Sequence, residues 1–106
     1  MNNRKVYISG EIVPEVDAKI SIFDSAVLLG DTVTESTRTF NFKPFKLDEH
    51  LERLYKSFKL TRIDPQMTID EMKKVSLELL EINKDNYKAN EDCWLVHNIS
   101  RGHSIT

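Results

Sequence analysis

Metal ligation, nucleophilic attack and anion binding each need particular residue types at particular spacings, and this sequence offers few of them. His97 and His103 stand six residues apart near the end of a strand-like segment, and His50 lies in a helical pattern. Histidines scattered in this way read as surface or capping groups rather than as a metal set. Cys93 is the only cysteine, which excludes an intrachain disulfide and a cysteine-based zinc site. Ser25 and Ser100 have no base within sequence reach, and no nucleophile elbow, Walker lysine or glycine-rich phosphate loop is present. Arg53 is the cation whose placement stands out. In "FKLDEHLERLYKSFK", residues 45–59, the apolar stripe is Leu51, Leu54, Tyr55 and Phe58, and Arg53 points almost the opposite way. Taken alone, it reads as a solvated charge among Glu49, Glu52, Lys56 and Lys59.

The elements that must position these residues belong to a chain of ordinary globular composition. It has 106 residues, 40% hydrophobic and 30% charged, enough for one domain with its own core. A net charge of −2 supplies no basic field, which argues against a general nucleic-acid binder. The N-terminus lacks an apolar signal region and no stretch approaches the length of a membrane span, so a cytoplasmic location with no membrane partner is expected.

Glycine and proline divide the chain into patterned segments. "KVYISGEIVPE" predicts two short strands around Ser9-Gly10, ended by Pro14. "AKISIF" alternates through Ile20 and Ile22 and predicts a third strand; "DSAVLLGD" is a short apolar run closed by Gly30. "TVTESTRTFNF" predicts the longest strand, with Val33, Glu35, Thr37 and Thr39 on one face and Thr32, Thr34, Ser36, Arg38 and Phe40 on the other. Asp48 is the expected N-cap of the Arg53 helix, which Asp64-Pro65 stops. Thr68 with Glu71 forms a capping box for a second helix, with a buried stripe at Ile69, Met72, Val75, Leu79 and Ile82. "CWLVHNIS" is the last strand. The order predicts one α+β domain over residues 1–106, a mainly antiparallel sheet with two helices.

Three segments in series carry a resemblance: "VYISGEIVPEVDAKISIFDSAVLLGDTVTESTR", "KPFKLDEHLERLYKSFKLTRI" and "WLVHNISRG". Together they resemble the N-terminal small domain of class IV (fold type IV) pyridoxal-phosphate-dependent aminotransferases. That group includes branched-chain and D-amino-acid aminotransferases, (R)-selective amine transaminases and aminodeoxychorismate lyase. The resemblance runs from residue 5 to about residue 103. Its most specific piece is "FKLDEHLERLYKS", with Gly30, Asp31 and Glu35 in register before it.

The resemblance implies that Arg53 binds the phosphate of pyridoxal 5′-phosphate, since a guanidinium gives a phosphate dianion planar, bidentate, charge-assisted hydrogen bonds. It implies that Leu29, Thr34, Arg38 and Trp94 border the substrate. Here the sequence departs from the family pattern: Thr34 replaces an aromatic residue, Leu29 a tyrosine and Val96 an arginine of the branched-chain type. The family's Schiff-base lysine and the carboxylate that holds the pyridine nitrogen protonated lie in a larger C-terminal domain. Neither corresponds to a residue of this chain, so no catalytic residue is expected here and the chain alone is expected to be inactive. The expected function is the small-domain part of an enzyme moving an amino group from an amino acid or amine to a 2-oxo acid, branched-chain-like and homodimeric. The alternatives are a free-standing interaction module of the same fold and an aminodeoxychorismate-lyase-like enzyme.

Overall fold

A computed structural model describes residues 3–103. Strands β1 (Lys5–Ile8) and β2 (Glu11–Pro14) pair antiparallel as a hairpin. Ser9 and Gly10 make its two-residue turn, both at positive φ (50° and 89°), as a tight hairpin turn demands. Helix α1 (Ser25–Leu29) leads into β3 (Thr32–Phe40). A short β4 (Lys43–Pro44) follows, then α2 (Leu47–Thr61), α3 (Ile69–Asn83) and β5 (Trp94–Ser100). The second sheet has the order β4-β3-β5, antiparallel throughout, and β3 pairs with β5 from Thr32↔Ser100 to Arg38↔Trp94. The fold is therefore α+β with antiparallel sheets and two main helices, as expected.

Residues directly opposite in an antiparallel pair share a face, so the register sorts β3 and β5 cleanly. Odd-numbered residues face the helices: Glu35, Thr37 and Thr39 are buried, as are Leu95 and His97. Against them pack Leu47, Leu51, Leu54 and Phe58 of α2, with Met72 and Leu80 of α3. Thr39 is fully buried because its hydroxyl is used twice, donating to Asp92 Oδ1 (3.0 Å) and accepting from the Cys93 N–H (2.9 Å).

Three local expectations are corrected, and one segment left unassigned gains an element. Residues 18–21 form no strand, because Ile20 and Ile22 stay exposed and alternation without a partner strand leaves backbone groups unpaired. The chain turns there instead, the Ser21 hydroxyl accepting from the Phe23 N–H and its carbonyl from the Asp24 N–H. "DSAVLLGD" forms α1, N-capped by Asp24, which accepts from the Ala26 N–H (2.9 Å), and closed by Gly30 at φ 63°. The N-cap of α2 is Lys46, in the left-handed conformation, not Asp48. Burial of Leu47 draws the helix start forward, and Asp48 bonds Lys73 of α3 (2.8 Å) instead.

The third correction is to the stripe of α3, and it is partial, since Ile69 and Leu79 pack against the core as expected. Met72, Ser76, Leu80 and Asn83 are buried, whereas Ile82 is exposed. Two of these polar residues have distant partners. Asn83 accepts from the Lys5 N–H (2.8 Å) and donates to the Lys5 carbonyl (3.0 Å), standing in for a neighbouring strand. The expected Thr68–Glu71 capping box is present, with bonds of 3.1 and 2.8 Å. At the far end of the sheet, Arg101 grips both oxygens of Asp31 (2.7 and 3.3 Å). It also donates to the Thr61 and Arg62 carbonyls at the end of α2 (2.9 Å each). Among the described residues, no helix is long and apolar enough to cross a membrane.

Candidate functional site

The inner face of β3 carries one carboxylate, Glu35, only 7% exposed. A buried carboxylate needs donors for its oxygens, and α2 supplies them from one face. His50 and Arg53 are three apart on that helix, so both reach β3. Arg53 Nε donates to Glu35 Oε2 (3.0 Å) and Arg53 Nη2 to Oε1, while His50 Nδ1 lies 2.7 Å from Oε1. A carboxylate with a pKa depressed in this way only accepts, so His50 carries its proton on Nδ1. The 3.5 Å approach of Nη2 to Nδ1 is then two donors converging on one oxygen.

The electrostatics follow from this geometry. The Arg53 guanidinium, with help from His50, holds the Glu35 carboxyl below its ordinary range despite the opposing effect of burial. Glu35 in turn raises the guanidinium above its own ordinary value. A carboxylate so stabilised, with both oxygens occupied, is a poor general base. Arg53 is different, since its side chain is 67% exposed. Its Nε–Nη2 edge faces Glu35, and its Nη1 makes no hydrogen bond among the described residues. What this arrangement can do chemically is hold an oxyanion at the outward edge of a fixed guanidinium.

Directly across β3 from Glu35 stands His97 of β5, also 7% exposed. Its Nε2 lies 2.8 Å from Ser76 Oγ, and that hydroxyl donates to the Met72 carbonyl (2.6 Å). The serine proton is therefore committed, so Nε2–H donates to Ser76 and Nδ1 holds a lone pair. Nδ1 has no hydrogen-bond partner among the described residues. Burial pushes the His97 pKa below its ordinary value, against the opposing pull of Glu35.

The other residues named from the sequence lie elsewhere. Thr34, Arg38 and Trp94 share the outer face of the β3–β5 pair, where Arg38 and Trp94 are cross-strand partners. Thr34 Oγ1 donates to Asn98 Oδ1 (3.4 Å). Arg38 Nε donates to the Thr39 carbonyl (3.3 Å), and its guanidinium lies 4.2 Å from the centre of the Phe40 ring. Trp94 and Leu29 are both mostly exposed, Leu29 at the end of α1. The structure thus pairs Arg38 with Trp94, sets Thr34 four residues away on the same face beside Asn98, and separately joins Arg53 to Glu35 and His50 on the helix-covered side. Sequence reasoning missed His50 and His97 as members of this cluster. The signals were present: the His50–Arg53 spacing on one helix face, and the inward parity of His97 on its strand.

Comparison with known proteins follows the same lines. Residues 32–104 match the family described as Amino-transferase class IV. A protein of Methanocaldococcus jannaschii, provisionally named a branched-chain-amino-acid aminotransferase, is 46% identical over 79 residues, 74% of this chain and 27% of its own length. The D-alanine aminotransferase of Staphylococcus haemolyticus is 35% identical over 79 residues, 74% of this chain and 28% of its own. This chain thus spans about a quarter of the length of these two curated relatives.

Among solved structures, the branched-chain aminotransferase of Thermoproteus uzoniensis, with norvaline, has a TM-score of 0.78 at 26% identity. The match covers 93% of this chain and 33% of that one. The branched-chain amino acid aminotransferase of Escherichia coli has a TM-score of 0.79 at 27% identity, over 95% and 34% of the two chains.

Proposed function

We propose, because the chain belongs to the class IV amino-transferase family, that residues 1–106 form the small domain of a pyridoxal-phosphate-dependent aminotransferase. The enzyme moves an amino group from an amino acid or amine to a 2-oxo acid, with branched-chain substrates favoured. The branched-chain names of the solved neighbours at 26% and 27% identity support that preference. The second domain supplies the Schiff-base lysine and the carboxylate at the pyridine nitrogen, and the assembly is a cytoplasmic homodimer. Alone, this chain is inactive.

In this reading Arg53 binds the cofactor phosphate, and Leu29, Thr34, Arg38 and Trp94 border the substrate. The observation that carries it is the exposed guanidinium of Arg53, fixed along one edge by Glu35. Such a fork fits a phosphomonoester dianion. Pyridoxal phosphate, when bound, supplies the electron sink for the amino transfer. This chain's part is to hold the phosphate and shape one wall of the pocket.

The test uses the polypeptide that joins this chain to the coding sequence following it, titrated with pyridoxal phosphate and followed by the cofactor's yellow absorbance. The band should shift when an amino donor is added, and Arg53→Ala should weaken cofactor binding about tenfold to a hundredfold, the loss of a charge-assisted bidentate contact. Unchanged affinity in Arg53→Ala would refute the assignment.

One feature favours a second reading. Ile20, Ile22, Phe23, Val27, Leu28 and Leu29 form an exposed apolar stretch, suited to a non-catalytic module that binds a partner through this surface. Sedimentation of the 106-residue chain separates the two readings, because a dimer indifferent to pyridoxal phosphate favours the module.

A further inference from the structure

A guanidinium carries five N–H groups, and in Arg53 two of them are committed to Glu35, one on Nε and one on Nη2. Of the remaining three, one on Nη1 and one on Nη2 form the outward Nη1–Nη2 edge, and the third, on Nη1, faces the Cδ side. The carboxylate that holds Arg53 is itself well anchored. It projects from the middle of β3, is 7% exposed, and takes a further bond from His50 (2.7 Å), one turn earlier on the helix that bears Arg53. An exposed arginine on a helix ordinarily samples many rotamers, and that freedom is lost when it binds. Here the loss has occurred before any ligand arrives.

Resting on the reading of Arg53 as a phosphate group's partner, we propose that Glu35, steadied by His50, is a positioning residue. It holds the guanidinium side-on so that the Nη1–Nη2 edge meets a phosphomonoester as a preset fork. The charge balance makes this a sharp claim. Glu35 cancels the charge of Arg53, so if simple attraction governed binding, an anion would bind better without the carboxylate. Positioning predicts the reverse sign.

The experiment uses the polypeptide that joins this chain to the coding sequence following it, labelled with 15N-arginine, and pyridoxine 5′-phosphate as probe, which lacks the aldehyde and forms no lysine adduct. Unphosphorylated pyridoxine is the control. In the parent chain the Arg53 Nη signals should shift with added probe while the Nε–H signal, bound to Glu35, stays in place. Glu35→Gln should weaken probe binding about fivefold, the scale set by releasing one rotamer-rich side chain. His50→Gln should act in the same direction and less strongly.

Equal or tighter binding by folded Glu35→Gln overturns the proposal, because Glu35 would then compete with the ligand. So does an Nε–H signal in the parent that moves with the probe, since the arginine would be leaving Glu35 to bind. Should Glu35→Gln not fold, the parent Nε–H response and His50→Gln decide. Arg53→Lys keeps the charge and loses the fork. If it binds like the parent, the phosphate reading fails independently of Glu35, and a joined polypeptide that binds no probe overturns both.

Discussion

Ser76 and His97 form a buried polar pair whose energetics can be worked from its proton inventory. The serine proton goes to the Met72 carbonyl, and the serine oxygen receives the Nε2–H of His97. Ser76→Ala removes that acceptor and strands a buried N–H on a ring whose Nδ1 already lacks a partner among the described residues. An unsatisfied buried donor costs about 1–3 kcal/mol. Alanine returns about 0.5 kcal/mol of helix propensity, so the net loss should be about 0.5–2.5 kcal/mol.

In a His97→Leu background no ring remains to satisfy. Ser76→Ala then removes only a back-bond to its own helix, and its cost should lie within about 0.5 kcal/mol of zero. Urea unfolding of the parent, both single variants and the double variant at pH 7.5 closes the cycle. A Ser76→Ala cost that is the same in both backgrounds would refute the inventory, because His97 would then not depend on Ser76.

Three further outcomes are expected. Burial depresses the His97 pKa from its ordinary 6.5, so its contribution is complete above that value and is lost as pH falls below it. Glu35, depressed from 4.5 chiefly by Arg53, adds a second loss as pH falls through its lowered pKa, and unfolding midpoints measured against pH in parent and His97→Leu should separate the two. Arg101→Ala should lower the urea midpoint by releasing Asp31 and the carbonyls of Thr61 and Arg62, and Arg101→Lys should not restore it, because one ammonium cannot reproduce the fork. Arg62 closes α2 at φ 58°, where a side chain is strained, so Arg62→Gly should raise stability by about 0.5–1 kcal/mol in the same assay.

The parts of the fold legible in the sequence are those specified by near neighbours. The Ser9-Gly10 hairpin, the parity of β3, the Leu51–Leu54–Phe58 stripe and the Thr68 capping box each depend on residues a few positions apart. What escaped depends on distant partners. Ile82 looked like core, yet Ser76 and Asn83 are buried because His97 lies 21 residues and Lys5 78 residues away. The apolar alternation of Ile20 and Ile22 met no partner strand. For the site, the position of Arg53 on its helix was readable, but its attachment to Glu35, 18 residues earlier, required the register of α2 on β3. The pairing of His97 opposite Glu35 required the β3–β5 alignment, which no local spacing encodes.

The β1–β2 hairpin makes a two-stranded ribbon of its own, and Asn83 clasps it to α3 through the peptide groups of Lys5. Ribbons this small have little cohesion in water without such support. Loosening should therefore start at this clasp, with the ribbon swinging away as a unit while the layer beneath it stays intact. Deuterium would enter the amides of Val6 to Val13 long before those of Thr37 or Leu95. A protease that finds the ribbon open would trim this end of the molecule and leave the remainder whole.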